Sequence, residues 1–213
     1  MSKLFSSIAL RDLTLENRIV VSPMCQYSCE NGTANDWHVV NLGHFALSGP
    51  GLAFFEATHV SPEGRITDRD LGLYSDENED GMARVVRFLR RWTRSKIGVQ
   101  LAHAGRKGST LPPWEGDGPA GPPRAYQTVA PSAIAYDDGW HVPQALDDAG
   151  LQKVRDDFVA AAQRAQRLGL DVIELHFAHG YLAHQFLSPL SNHRTDAYGG
   201  SLENRLRFPL AGL

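Results

Sequence analysis

Residues 171–208 read DVIELHFAHGYLAHQFLSPLSNHRTDAYGGSLENRLRF, and this stretch decides which fold the chain can adopt. It begins with Val172, Ile173 and Leu175, a short apolar run typical of a strand that is covered on both faces. A polar cluster and a long polar loop begin where the run ends. Because ligands of parallel α/β proteins bind at the carboxyl ends of strands, we expect a functional site at this point.

Similar apolar runs occur earlier in the chain, and segments with helical periodicity separate them. The predicted strands span residues 18–24, 52–60, 96–103 and 171–176, and the predicted helices span 35–48, 76–94 and 147–168. Asp76, followed by Glu79, gives a capping-box-like start to the second helix, and Gly169 is positioned to end the third. The repeated order of strand and helix predicts an α/β fold with a parallel sheet.

Two segments fall outside this repeat. Residues 7–15 resemble a short hairpin ahead of the first strand. Residues 105–142 form a long excursion, rich in proline and glycine, between the third strand and its helix. Such an insertion can form a lid or rim over a ligand site, and it can equally be a flexible surface loop.

Composition and charge narrow the class of protein. The chain has 213 residues, 42% hydrophobic and 21% charged, which predicts a single domain spanning 1–213. Its net charge of −3 includes no basic block, so we expect neither nucleic acid nor a membrane as a partner. The start, MSKLFSSIALRDL, lacks the apolar core of a signal peptide, and no apolar run approaches the roughly 18 residues of a membrane span. We therefore expect a cytoplasmic location.

His176, His179 and Tyr181 are the first candidates for chemistry. Two histidines three residues apart can bind a metal, but no nearby cysteine or carboxylate completes an obvious ligand set, and we predict no metal. The histidines can also be core residues with satisfied hydrogen bonds. The tyrosine favours a third interpretation, because two imidazole donors beside a phenol can polarise a carbonyl and protonate its α-carbon.

Two further segments lie at the carboxyl ends of predicted strands. Gln100 shares an alternating face with Gly98 and Ala102, small residues that leave room for a planar ligand. Its amide suits the edge of a heterocycle such as a flavin pyrimidine, although a glutamine bonded to interior neighbours would give the same pattern. Residues 22–27, SPMCQY, combine a proline-stiffened turn with a thiol and a phenol. The two cysteines lack a C-x-x-C redox spacing, so any role of Cys25 is local.

Four long motifs follow one another along the chain. They are SPMCQYS at 22–28, EATHVSPEGRITDRDLGLYS at 56–75, QLAHAGRK at 100–107 and HFAHGYLAHQFLSPLSNHRTDAYGGSLENRLRF at 176–208. Together they resemble the old yellow enzyme family of flavin-dependent ene reductases, or NADH:flavin oxidoreductases, over nearly the whole chain. Cys25, in place of a threonine, suggests the thermophilic-like subclass, which includes xenobiotic reductase.

The resemblance implies roles for individual residues. Cys25 is implied to tune the flavin potential, and His176 and His179 to hold the substrate carbonyl oxygen. Tyr27 is implied to lie in the substrate pocket, and Tyr181 to be the proton donor. The residues implied to contact FMN are Ser22, Pro23, Met24, Cys25, Ala57 and Gln100.

The implied reaction reduces the activated C=C bond of an α,β-unsaturated carbonyl or a nitro compound. NADPH, or less often NADH, reduces FMN, which passes hydride to the β-carbon while Tyr181 protonates the α-carbon. The hydride chemistry belongs to the cofactor. The expected partner is a small-molecule enone or another electrophilic alkene, and we expect full-length members of the family to be homo-oligomers.

The family's fold resembles an eight-stranded (β/α)8 TIM barrel of about 250 residues or more, and only about the first four βα units are recognisable here. Loops after the seventh and eighth strands commonly hold a cofactor phosphate, so we expect the FMN phosphate site to be absent. We expect the chain to be the N-terminal part of an FMN-binding barrel, as a fragment of a longer enzyme. The alternatives are a natural short product that pairs with another half barrel, and an inactive remnant that acts only as an assembly partner.

Overall fold

The computed structural model describes residues 2–211, in which strands and helices alternate as the sequence predicts. The strands are β1 Ile8–Leu10, β2 Leu13–Leu15, β3 Val20–Val21, β4 Leu52–His59, β5 Lys96–Ala102, β6 Val129–Ala130, β7 Gln144–Ala145 and β8 Val172–Leu175. The helices are α1 Asp36–Leu47, α2 Asp76–Trp92, α3 Asp148–Arg167, α4 Leu182–Leu187 and α5 Leu202–Leu210. Short 3-10 helices lie at Lys3–Phe5, Pro62–Gly64, Gly105–Lys107 and Pro113–Glu115.

Strands β3, β4, β5 and β8 form one parallel sheet in that order. A (β/α)8 barrel requires this sequential order, whereas the strand order of a doubly wound sheet reverses at a switch point. Helices α1, α2 and α3 connect the strands and pack on the outer face of the sheet. The described chain is therefore an arc of a barrel with four strands, as predicted.

The outer face of the sheet carries the main hydrophobic core. Met82, Val85 and Leu89 recur at helical spacing along α2, and all three are fully buried. They belong to one cluster with Ile97 and Val99 of β5. Each such side chain contributes roughly 2 kcal/mol by its burial, so the apolar stripe of α2 fixes the helix against the sheet.

The helix ends follow their sequence signals with one difference. Ser75, rather than Asp76, is the N-cap of α2, and its hydroxyl accepts from the main-chain N–H of Asn78. At the end of α3, Gly169 follows the C-cap residue Leu168 with a φ of +69°. Glycine adopts this left-handed conformation without steric cost, which confirms the predicted helix end.

The predicted N-terminal hairpin covers the amino end of the inner face of the sheet. Strands β1 and β2 pair antiparallel, and Leu15 packs with Leu52 and Phe54. A Cβ atom at Gly98 would lie 2.4 Å from the ring of Phe54. A protein side chain therefore fills the space beside Gly98, and the expectation that this residue leaves room for a ligand is wrong.

Both edge strands differ from their predictions. Strand β3 contains only Val20 and Val21 rather than residues 18–24, since Pro23 lacks the N–H that a longer ladder needs. Among residues 2–211, β8 pairs only with β5, and Ile173 is 40% exposed. The prediction that β8 is covered on both faces is therefore wrong for the described chain, in which it is an edge strand.

The polar loop after the histidine cluster contains a helix that was not predicted. In α4, Leu182 and Phe186 are fully buried. The ring of Phe186 stacks on that of Phe208 in α5, with 4.2 Å between the centroids.

Within residues 2–211, no helix combines the length and the apolar character that crossing a membrane requires.

The excursion of residues 105–142 is anchored to the segment that follows β4. The guanidinium of Arg124 donates to both carboxylate oxygens of Asp68, at 2.9 and 2.7 Å, and also to Glu115. The hydroxyl of Tyr126 donates to the carbonyl oxygen of Arg65 at 2.6 Å. These bonds favour the interpretation of the excursion as a rim over that of a flexible loop.

Candidate active site

The carboxyl ends of β4, β5 and β8 align predicted residues in one row. Ala57 of β4 lies opposite Gln100 of β5, and Gln100 lies opposite Glu174 of β8. The Nε2 of Gln100 donates to Oε1 of Glu174 at 2.5 Å. Glu174 was not predicted, although it lies two residues before His176 and therefore faces the same side of the sheet.

His176, His179 and Tyr181 form one cluster, as the sequence predicted. The ring centroids of the two histidines are 5.1 Å apart, and those of His176 and Tyr181 are 4.9 Å apart. His179 has a φ of +55° and Gly180 a φ of +74°. These left-handed residues turn the chain sharply, so that three rings close in sequence also meet in space.

The imidazole of His176 is buried and neutral. Its Nδ1 accepts from the main-chain N–H of Ala178 at 3.4 Å, a weak bond that favours the tautomer with the proton on Nε2. Burial, with the neighbouring His179 as the second cause, lowers the pKa of His176 to about 4. At neutral pH the ring therefore offers one N–H donor and carries no charge.

Tyr181 is half-buried beside His176 and retains its proton at neutral pH. Burial raises the pKa of its phenol, and the nearby Cys25 raises it further. Lys107 was not predicted at the site, although it lies in the QLAHAGRK motif. Its Nζ is 5.1 Å from the centroid of the Tyr181 ring and donates to the carbonyl oxygen of His179 at 2.9 Å. Lys107 thus ties the excursion to the turn of the cluster.

Cys25 and Tyr27 extend the site from the loop after β3. The sulfur of Cys25 lies near the main chain of Ala57 and the side chain of Tyr27. Burial raises the pKa of Cys25, which therefore remains a thiol at neutral pH. Burial also raises the pKa of Tyr27, whose ring meets that of Trp114 edge-on at 5.7 Å between centroids. Trp114 belongs to the excursion and was not predicted at the site.

The remaining predicted residues lie on the same loop. Ser22 and Met24 are exposed, and Pro23 between them is half-buried. Both Ser22 and Met24 line a cleft between this loop and α1. The structure thus brings Cys25, Ala57 and Gln100 together, whereas residues 22–24 lie towards α1.

A buried carboxylate that was not predicted lies close to the site. Asp70 accepts from the main-chain N–H groups of Ile66 and Thr67, at 2.6 and 3.0 Å. Its Oδ2 lies 2.9 Å from Nε2 of His59 at the end of β4. The charge of Asp70 contributes to the raised pKa values of the thiol and both phenols at the site. Local sequence gave no signal for it, because only the fold brings this loop to the strand ends.

The chemistry of the cluster rests on hydrogen-bond donors. Within residues 2–211, no group of three or more histidines, cysteines and carboxylates is placed to hold a metal ion. The site instead offers imidazole donors and a protonated phenol beside a row of small and amide side chains. Fold and site together define a protein of the α/β-barrel class. Side chains at the carboxyl ends of its strands can polarise an oxygen through imidazole donors and supply a proton from a phenol.

The chain belongs to the NADH:flavin oxidoreductase / NADH oxidase family, whose model matches residues 3–213. It is 48% identical over 208 residues to an NADPH dehydrogenase of Bacillus subtilis (strain 168), covering 97% of this chain and 57% of that protein. It is 47% identical over 214 residues to an NADH:flavin oxidoreductase of Gibberella zeae, covering 98% of this chain and 52% of that protein. The chain thus spans about half the length of the curated relatives it matches.

Solved structures agree with this assignment. Morphinone reductase superposes with a TM-score of 0.84 at 33% identity, over 98% of this chain and 57% of that one. An old yellow enzyme homologue from Zymomonas mobilis gives a TM-score of 0.82 at 28% identity, over 99% of this chain and 58% of that one. The predicted family and the partial barrel are therefore confirmed, and so are the flavin and the nicotinamide as the cofactors of the family. The roles of individual residues remain predictions.

Proposed function

We propose that this chain forms the substrate side of an FMN-dependent oxidoreductase that uses NADPH or NADH to reduce the activated C=C bond of α,β-unsaturated carbonyl compounds. The observation that carries the proposal is the cluster of His176, His179 and Tyr181, whose ring centroids lie 4.9 to 6.5 Å apart. Family membership supports the flavin and the nicotinamide reductant. The chemistry of the cluster supports a substrate with an oxygen to polarise and a carbon to protonate.

The row of Cys25, Ala57 and Gln100 fits a flat heterocycle. Ala57 projects only a methyl group, and the Gln100 amide, oriented by Glu174, matches the donors and acceptors of a pyrimidine edge. We assign the flavin contacts to Cys25, Ala57 and Gln100, since residues 22–24 lie towards α1. When bound, FMN supplies the hydride that it takes from NADPH or NADH.

His176 and His179 bind the carbonyl oxygen of the substrate. Negative charge builds on that oxygen as the β-carbon becomes reduced, and preplaced N–H donors stabilise this charge more in the transition state than in the ground state. Because the pKa of His176 is lowered to about 4, the ring acts as a neutral donor rather than as an acid. The oxygen is thereby held without being protonated.

Tyr181 gives its phenolic proton to the α-carbon and so completes the saturated product. Its raised pKa keeps the proton on the oxygen until carbanion character develops on the substrate. Tyr27 lies on the wall of the pocket, supported by the edge of Trp114. The excursion therefore shapes the substrate pocket as well as its rim.

A second candidate function is that of an assembly partner that binds no flavin. It is supported by the open edge of β8, where Ile173 is 40% exposed. A strand edge with unpaired main-chain groups favours association with another strand. The loops that commonly hold a cofactor phosphate follow the last two of the eight strands of such a barrel. Residues 2–211 contribute only four strands to the parallel sheet, so they include no counterpart of those last two.

Flavin retention and turnover separate the two candidates. The purified chain is mixed with FMN, passed over a gel-filtration column, reduced anaerobically with NADPH and then mixed with 2-cyclohexenone. The proposal predicts co-elution of flavin, loss of its oxidised absorbance with NADPH and recovery of that absorbance with the enone. Gln100→Leu is the matched variant, and we expect it to retain less flavin. A chain that retains no flavin and elutes as an oligomer would support the assembly partner instead.

A further inference from the structure

We propose that Glu56 and His38 are positioning residues, which hold the loop of residues 24–29 in the conformation that presents Cys25 and Tyr27. Residues 24–29 form the site loop. The inference rests on the proposed function in so far as that function gives Cys25 and Tyr27 their roles. Its tests, however, concern the loop itself and need no flavin.

Glu56 occupies an irregular position in β4. The register of β4 against β5 shifts between Phe55 and Ala57, so that Glu56 is left out of the regular pairing. A bulge of this kind redirects a side chain and is common next to active sites. Here Ala57 lies opposite Gln100, while the carboxylate of Glu56 reaches the site loop.

The carboxylate of Glu56 binds the site loop and α1 at the same time. Its Oε2 accepts from the main-chain N–H of Gln26 at 2.6 Å, and its Oε1 lies 3.1 Å from Nε2 of His38. Both side chains are only 3% exposed. A hydrogen bond from a main-chain N–H to a buried carboxylate is among the stronger types in proteins, so this bond fixes the loop immediately after Cys25.

The start of α1 holds the site loop from the other side. The side-chain amide of Asn35, the N-cap residue, donates to the carbonyl oxygen of Ser28 at 2.6 Å. His38 lies one turn further along α1, and its Nε2 is 3.3 Å from the sulfur of Cys29. The site loop is thus attached to β4 at Gln26 and to α1 at residues 28–29.

These attachments flank the most strained residue of the loop. Tyr27 has a φ of +49°, a left-handed conformation that non-glycine residues rarely adopt. Such a conformation persists only where the surroundings determine it strongly. A cleft lined by Met24, Gln26 and His38 adjoins the loop, and the bonds from Gln26 to Glu56 and from Asn35 to Ser28 hold the loop beside it.

The alternative is that the buried pair only stabilises the fold. Replacing a buried polar pair then affects the whole sheet, because β4 is central in it. A positioning role predicts instead a local effect on the site loop. Hydrogen exchange of single amides distinguishes the two, since it reports local and global opening separately.

The first measurement uses the unmodified chain. The amide of Gln26 lies outside every helix and strand, yet the proposal predicts protection comparable to that of amides within β4. If it exchanges as fast as the amides of the exposed turn at Gly139, the proposal is overturned. This outcome does not depend on whether any variant folds.

The second measurement compares two buried carboxylates. Glu56→Gln leaves one acceptor for two contacts, and we expect the Gln26 amide to exchange about tenfold faster or more. Asp70→Asn is the matched control, and it should accelerate exchange at residues 66–67 but not at Gln26. Glu56→Ala should have a larger effect at Gln26 than Glu56→Gln, because glutamine keeps one acceptor.

The third measurement follows Cys25. Both Glu56→Gln and Asp70→Asn remove a charge that raises the pKa of Cys25, so both should accelerate its alkylation by iodoacetamide, mapped by mass spectrometry. The proposal predicts a larger acceleration in Glu56→Gln, because only that variant also loosens the site loop. Unchanged exchange at Gln26 in Glu56→Ala, or equal acceleration throughout β4, would overturn the positioning role. A failure of the proposed function appears separately, as absence of enone reduction by a chain whose Gln26 amide is protected.

Discussion

The ring of Tyr181 stands edge-on to that of His176, with 4.9 Å between the centroids and 80° between the planes. The proton donor and one of the proposed oxygen-binding donors are therefore direct neighbours. The carbonyl oxygen and the α-carbon of an enone are two bonds apart, so adjacent donors suit the two ends of one such group. This pairing is the geometric basis of the proposed reaction.

Removal of the oxygen-binding donor should impair enone reduction. For His176→Ala we expect kcat/KM with 2-cyclohexenone to fall by roughly 100-fold, since an oxyanion donor typically contributes this much. His193→Ala is the matched control, because His193 is exposed. Steady-state kinetics with FMN-loaded protein measures the effect, and an unchanged kcat/KM in His176→Ala would refute the role.

The buried His103 should make the fold acid-sensitive. Burial lowers its pKa from the ordinary 6.5 to about 3, so the unfolded chain binds a proton that the folded chain does not. The free energy of unfolding is therefore unaffected by His103 above pH 6.5, where the ring is neutral in both states, and it decreases as the pH falls from 6.5 towards 3. By pH 5 this loss is about 2 kcal/mol.

Urea unfolding at pH 7.5 and pH 5.0 measures this contribution. Between these pH values His103→Gln should lose about 2 kcal/mol less stability than the unmodified chain. A glutamine can still accept from the Gly105 amide, as Nδ1 of His103 does at 3.0 Å. Parallel pH profiles for the two proteins would show that His103 does not titrate as described.

The thiol of Cys25 should influence the flavin without being required to bind it. Cys25→Ala removes a polarizable group beside Ala57, and we expect a shifted flavin midpoint potential with FMN retained. Val159→Ala is the control, since Val159 is exposed on α3. An unchanged potential in Cys25→Ala, measured by anaerobic redox titration, would count against the tuning role.

The anchoring of the excursion predicts a local loss of order in Arg124→Ala. Arg124 is bound to two carboxylates, Asp68 and Glu115, and its removal leaves both without this partner. We expect limited proteolysis to cleave residues 105–142 faster than in the unmodified chain. Arg87→Ala, at an exposed position of α2, serves as the control. Equal cleavage rates in the two variants would mean that Arg124 does not hold the excursion.

The parts of the molecule that could be predicted depend on local signals. Residues 52–60 and 96–103 are apolar runs typical of buried strands, and both became strands of the sheet. His176, His179 and Tyr181 lie within six residues of sequence, so a single turn suffices to bring them together. Periodicity and spacing therefore predicted the sheet and the centre of the site.

The parts that could not be predicted depend on contacts between distant segments. Glu56 reaches Gln26 only because of an irregularity in β4, and no pattern in the sequence marks that irregularity. Glu174 meets Gln100 through strand register, which periodicity alone does not define. Trp114 reaches Tyr27 from a long excursion whose path is determined by tertiary bonds.

The most direct test of the proposed proton transfer is the rate of alkene reduction by Tyr181→Phe. The two half-reactions are measured separately in an anaerobic stopped-flow instrument with FMN-loaded protein. The phenylalanine keeps the ring beside His176 but has no proton to give. We predict that reduction of 2-cyclohexenone slows by roughly 100-fold, while reduction of the flavin by NADPH changes little and Tyr136→Phe changes neither. Equal slowing of both half-reactions, or an unchanged rate of enone reduction, would contradict the proposal.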